Sequence, residues 1–178
     1  MKKFLAFLFL LALFGGCNDL LNTPTKRVEE FLHKYQVLDE KLLNNLDYSL
    51  ESNNLNEEEK KIYREIMKKQ YKDLTYKIKD EEIDGEIATV KVEIEVYDYN
   101  LANIKTNDYL NKNNDYFLND EGIIDESKYI DYKLNIMKDI NERVKYTLEF
   151  IIRKKDKIWV MDNISKDDIL KIHGVYSY

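Results

Sequence analysis

From Thr23 onward the apolar positions change their period several times. Val28, Phe31, Tyr35, Leu38, Leu42 and Leu46 recur at spacings of 3 or 4. That pattern predicts one long amphipathic helix with a single inward stripe. Thr23 is placed to cap it, and Pro24 suits the first helical position. Asn44, Asn45, Ser52, Asn53 and Asn54 mark its end. Asn56-Glu57-Glu58-Glu59 opens a second helix: Asn caps, and the acids favour the positive end of the helix dipole. Its buried face is Ile62, Tyr63, Ile66 and Met67, and the pair is expected as an antiparallel hairpin or an L.

The period then changes to 2. Leu74, Tyr76 and Ile78 alternate with Thr75, Lys77 and Lys79, and Asp84-Gly85 is a turn signal. Val90, Val92, Ile94 and Val96 oppose Lys91, Glu93 and Glu95, the pattern of a half-buried antiparallel strand. Residues 100–125 read as the least regular part of the chain, with room for a helical turn near Asp108 to Asn113. Asp125 or Ser127 caps a third helix carrying Ile130, Leu134, Met137 and Ile140. Val144, Tyr146, Leu148, Phe150 and Ile152 form a long strand, turned through Lys154, Lys155 and Asp156 into Ile158 to Met161. Ser165-Lys166-Asp167-Asp168 resembles a capping box for a last short helix. Ile169 and Leu170 are expected inward, with Gly174 just beyond the helix end.

This order predicts an α+β domain with N-terminal helices packed against a curved antiparallel sheet of about four strands. The first helix should meet the face formed by Val90, Val92, Ile94 and Val96, joined by Tyr146, Leu148, Phe150 and Ile152.

The N-terminus does not belong to this domain. Lys2 and Lys3 precede an unbroken apolar run from Phe4 to Phe14, followed by Gly15, Gly16 and the only cysteine, Cys17. Eleven apolar residues are too few to span a bilayer, which needs about twenty, and the layout is that of a secretory signal peptide. Leu13-Phe14-Gly15-Gly16-Cys17 resembles a bacterial lipobox, although Phe14 and Gly15 depart from the usual residues there. The resemblance implies diacylglyceryl transfer to the Cys17 sulfur and cleavage before it. The expected organisation is a lipoprotein signal peptide at 1–16, a lipidated tether at 17–22 and a single domain at 23–178.

Charge and composition narrow the function classes. The 178 residues carry 28 basic and 34 acidic side chains, and loss of Lys2 and Lys3 with the signal peptide moves the net charge from −6 to −8. That balance argues against a nucleic-acid groove. Anionic lipid head groups would repel such a surface, so the lipid and not the domain is expected to hold the protein at the membrane. One cysteine excludes an intrachain disulfide, and with two histidines it leaves little for a zinc cluster. Few Gly and one Pro disfavour an immunoglobulin-like sandwich.

The element order resembles the nuclear-transport-factor-2-like (cystatin-like) superfamily, and more narrowly small lipoproteins of low-GC Gram-positive bacteria carrying that domain. The residues behind this are Thr23-Pro24 before a long helix, Tyr129-Ile130-Asp131-Tyr132-Lys133-Leu134, Val144 to Phe150, and Lys157-Ile158-Trp159-Val160 through Lys171-Ile172-His173-Gly174. The family pattern often has Gly in the last hairpin, where this chain has Lys155-Asp156. The resemblance implies a cone-like sheet. It does not supply an activity, because folds of this kind host isomerases, dehydratases, adaptors and binding domains.

Candidate chemistry is sparse. His33 and His173 lack a Cys or second His at ligand spacing and read as surface or satisfied histidines rather than ligands or general bases. Tyr97-Asp98-Tyr99 ends the clearest strand, where a proton-transfer site competes with rim packing. Trp159 with Tyr146 could line a pocket, anchor an interface or fill the core. Asn119-Asp120-Glu121-Gly122 fails as a calcium loop, since Phe117 and Lys128 fall where oxygen ligands are needed, and reads as a turn. Lys68, Lys69, Lys72 and Lys77 read as a solvated face. No cofactor or metal is expected. The expected function is that of an extracytoplasmic, lipid-anchored protein of the cell envelope that binds a small ligand or an envelope protein. The alternative is a small isomerase- or hydrolase-like enzyme working in a cone pocket.

Overall fold

A computed structural model describes residues 22–51 and 54–177 of the protein. The expected signal peptide, the lipobox and Cys17 lie outside the described residues. Within them the architecture is α+β: six α-helices and one open, four-stranded antiparallel sheet.

Helix α1 spans Pro24–Gln36, and its Thr23 cap accepts a hydrogen bond from the Lys26 amide, as the Thr-Pro pair predicts. The single long helix predicted from the stripe is in fact two. The chain breaks at Leu38, which takes a left-handed φ of 56°, and restarts as α2, Glu40–Glu51. Asp39 causes the restart: its carboxylate accepts from the Lys41 and Leu42 amides at 3.1 and 3.4 Å, capping the new helix. The apolar stripe runs through the break because both helices pack on the same core. Leu32, outside the predicted stripe, is fully buried, whereas Phe31 is half-buried.

Helix α3, Glu57–Asp73, starts with a complete capping box: Asn56 accepts from the Glu58 and Glu59 amides, and Glu59 accepts from the Asn56 amide at 2.7 Å. Its buried stripe extends past Ile66 and Met67 to Gln70 and Tyr71. Strands β1 (Thr75–Asp84), β2 (Ile87–Tyr97), β3 (Arg143–Lys155) and β4 (Ile158–Met161) pair in chain order. In β2 the predicted face, Val90, Val92, Ile94 and Val96, is fully buried, and Val90 and Val92 pair with Phe150 and Leu148 of β3. The opposite face carries cross-strand ion pairs such as Lys91–Glu149 and Lys79–Glu93.

Only residues 118–125 of this stretch are irregular. Helix α4 covers Asn100–Lys112 and a 3₁₀ turn covers Asn114–Phe117. What α4 buries are Asn100, Ala102 and Thr106, small or polar side chains that leave almost no hydrophobic signal; Thr106 spends its hydroxyl on the Ala102 carbonyl at 2.7 Å. The Asn119 side chain closes the following turn by accepting from the Glu121 and Ile123 amides. Helix α5, Glu126–Asp139, is capped by Asp125, while Ser127 donates to Glu59 of α3. Helix α6, Lys166–His173, is capped by Ser165 and stopped by left-handed Gly174. It turns Ile172 inward, whereas Leu170, expected inside, is exposed.

Two apolar clusters result. One lies between the sheet and α1, α2, α3 and α6, with Phe31 edge-on to Phe150 at 5.7 Å. The other joins α3, α4 and α5 through Ile66, Tyr99, Ala102, Leu134, Met137 and Ile140. Helix α3 serves both.

Candidate functional site

Helices α1, α2, α3, α5 and α6 line a half-open cavity of about 710 Å³. Its lining comes from these helices and the segments joining α1 to α2 and α2 to α3; no strand residue contributes. Leu42, Leu46 and Leu50 of α2, which starts just after the break at Leu38, line it together with Ile130, Lys133, Leu134 and Met137 of α5, and Leu46 and Leu50 also belong to the main core.

Tyr35, Tyr71 and His173 contribute a polar group of side chains. The Tyr71 hydroxyl and His173 Nε2 are 2.9 Å apart, and the Tyr35 and Tyr71 rings meet edge to face at 5.0 Å. Tyr71 extends the Ile66–Met67 stripe of α3, and His173 ends α6. Burial lowers His173 to about 4 and raises Tyr35 to about 12, and it also pushes Tyr71 and Tyr63 upward. All four are therefore uncharged near neutral pH. A general base works best when its pKa lies near the operating pH. His173 sits well below that range, and among the described residues no carboxylate is bonded to it to raise its basicity.

Lys133 is the exceptional side chain of the lining. It stands on the apolar stripe of α5 with Ile130, Leu134 and Met137, and is half-buried. Burial holds its ammonium below the usual lysine range, with no acidic partner to offset it. Among the described residues it has no hydrogen bond or ion pair. Lys34 and Lys41 also line the cavity, with exposed side chains. The lining contains one carboxylate, Asp39, which is engaged with the α2 amides.

The four residues singled out in the sequence lie elsewhere. Tyr97 and Tyr99 come together, stacked at 5.9 Å at the end of β2. The Tyr97 hydroxyl donates to Asp73 at 2.8 Å, and Lys69 lies 3.4 Å over its ring. Its hydrogen bond, ahead of Lys69 and Arg143, holds the Asp73 carboxyl below the usual range. Tyr99 is buried in the α3–α4–α5 cluster and borders a smaller recess of about 290 Å³ with Ile62, Ile66 and Met137. Tyr146 lies in the main core, edge-on to Tyr176 at 6.0 Å. Trp159 packs in the same core, and its amide donates to Asn22 Oδ1. His33 is exposed on α1. None of the four lines the large cavity.

The cavity residues carried one overlooked signal: a lysine at position 133 within the stripe of Ile130, Leu134 and Met137. The Tyr71–His173 contact had none, since 102 residues separate the pair. Among the described residues no three His, Cys, Asp or Glu side chains converge as a metal site, and no helix is long and apolar enough to cross a membrane. No family model, no curated protein and no solved structure matches the chain.

Proposed function

We propose that the protein is a lipid-anchored, extracytoplasmic lipoprotein of the bacterial cell envelope whose domain, of the nuclear-transport-factor-2-like kind, binds a small ligand without transforming it. The observation that carries the binding role is the helix-walled cavity of about 710 Å³, within the usual range for small-molecule sites. Its walls are largely apolar, and its one hydrogen-bonded titratable pair, Tyr71–His173, is neutral and lacks an orienting carboxylate. These features favour binding over the isomerase- or hydrolase-like alternative. The anchoring role is supported by Lys2, Lys3, the apolar run Phe4 to Phe14 and Cys17. In this reading the membrane is the partner held through the Cys17 lipid, and the curvature of the sheet into a cone is part of the proposed family likeness. The helix-lined position of the cavity would then be this chain's own departure from a pocket inside the cone.

Two measurements test it. Cells fed alkyne-tagged palmitate should label the wild-type protein, and Cys17→Ser should lose the label and leave the membrane fraction; unchanged retention would refute the anchor. The full-length protein from membranes should release a non-covalent small molecule on denaturation. Leu42→Trp, at a half-buried position of the lining, should lose it at unchanged fold. Release of nothing by the wild type, or of the same molecule by Leu42→Trp, would refute the binding role.

A further inference from the structure

We infer that the cavity takes an amphipathic anion: one apolar chain ending in a carboxylate or phosphate monoester that pairs with Lys133. This rests on the cavity being a ligand site and adds the chemical class of the ligand.

Two independent features point to an anion. The first is Lys133 itself. A partly buried charge is normally paired, because removing an ammonium from water without a counter-charge is unfavourable. Here no acidic side chain among the described residues reaches it, although the chain has more acids than bases. A bound anion would supply the missing partner. The second feature is the sign of the surroundings. Lys34, Lys41 and Lys133 line the cavity against Asp39 alone, in a protein whose net charge is −6. Asp39 already accepts two amide hydrogen bonds from α2, which spreads its charge into that helix end. A positive lining in an acidic protein concentrates field lines on anions entering it.

The remaining walls specify the rest of the ligand. Asn45, Ser49 and Asn54 are exposed, while the more buried wall of Leu42, Leu46, Leu50, Leu55, Leu134 and Met137 offers contact surface without hydrogen-bonding groups. A sugar or nucleotide would leave many of its polar groups unsatisfied there. A hydrocarbon chain would not, and the neutral hydroxyls of Tyr35 and Tyr71 add donors without adding charge.

The test uses the full-length protein in lipid nanodiscs. It is photolabelled with a diazirine-bearing hexadecanoate or with the matching neutral hexadecanol, and labelled peptides are mapped by mass spectrometry. The hexadecanoate should label cavity peptides at least tenfold more than the alcohol. Lys133→Met should abolish that excess, Lys133→Arg should keep it, and Lys138→Met, on the neighbouring recess, should leave it unchanged. Unlabelled dodecanoate and dodecyl phosphate then compete separately. Displacement by only one identifies the head group, and displacement by neither overturns the inference. Equal labelling by acid and alcohol would overturn the anion preference while leaving the cavity as a ligand site. Labelling of the cavity by neither probe would count against both.

Discussion

Gln70 holds the backbone of Tyr97 with both ends of its carboxamide: Oε1 accepts from the Tyr97 amide at 2.9 Å, and Nε2 donates to the Tyr97 carbonyl at 3.1 Å. Strand β1 stops pairing with β2 at Thr75–Glu95, so the end of β2 would otherwise lack a partner on that side. A fully buried side chain from α3 takes the place of a strand. This contact locks the helix that bears Tyr71 to the sheet, and Gly174, which follows His173, packs on the same spot.

Gln70→Leu keeps the volume and removes both hydrogen bonds, leaving the Tyr97 amide unpaired and its carbonyl with only the Tyr99 amide, at 3.1 Å. Each such loss costs roughly 1–3 kcal/mol. The expected destabilisation is about 3 kcal/mol, a fall in melting temperature of roughly 10 °C for a domain of this size. Calorimetry reads it directly. A fall below about 1 °C would mean that water takes over both bonds.

Gly174→Ala should be worse than the same change at Gly85, although both glycines have a left-handed φ, +71° and +59°. At Gly85 an added Cβ meets nothing within 4 Å, so only the conformational penalty applies, about 1–2 kcal/mol. At Gly174 the Cβ would collide with the Tyr97 carbonyl oxygen and the Gln70 amide. Gly174→Ala should therefore cost at least twice as much in chemical denaturation. Equal costs would show that the α6 end can shift away from β2 freely.

The strands were legible because a sheet with one dry face enforces alternation, which Val90 to Val96 obey throughout and Tyr146 to Ile152 obey apart from the apolar Ile151 on the outer face. Capped helix starts were legible for a similarly local reason: Thr23, Asn56 and Ser165 each bond within three residues of themselves. Three features escaped. The break at Leu38 was masked because the residues beyond it return to the same core. Helix α4 was masked because it is held by Ala102 and Thr106 rather than by large apolar groups. The cavity was masked because it depends on how α2 and α5 stand apart, and on a contact between residues 71 and 173 that no local pattern encodes.

His173 makes stability depend on pH in a predictable direction. Its folded value, about 4, lies below the ordinary 6.5, so between these limits the unfolded chain binds the proton more strongly. Its contribution is fully present above about pH 6.5 and is lost as pH falls toward 4, by an amount on the order of 3 kcal/mol. His173→Gln removes the titration and keeps a hydrogen-bonding group for Tyr71. The stability difference between wild type and His173→Gln, measured by urea titration, should shift against the wild type across that window, since the carboxylates common to both cancel. A difference independent of pH would place the His173 ring in contact with water.

The hairpin between β3 and β4 offers a stabilising change. Lys155 pairs with Ile158, leaving Asp156 and Lys157 as a two-residue loop with φ of 50° and 68°. Left-handed conformation at both positions is that of a type I′ turn, for which Asp-Gly is a favoured sequence. Asp tolerates this region, but lysine does so at a penalty of about 1 kcal/mol or more. The Lys157 side chain is exposed and engages no ion pair among the described residues, so its loss removes no identified contact. Its carbonyl accepts from the Asn22 side chain at 2.8 Å, a bond that Gly preserves. Against the gain stands the greater freedom of Gly in the unfolded chain, about 0.5–1 kcal/mol. The net for Lys157→Gly should therefore be a modest stabilisation, about 0.5 kcal/mol, raising the melting temperature by roughly 1–2 °C. Asp156→Gly should gain less, because Asp already accepts the conformation, and Lys155→Gly, inside the strand, should destabilise. If Lys157→Gly lowered the melting temperature, the loop would not hold Lys157 in a left-handed conformation in solution.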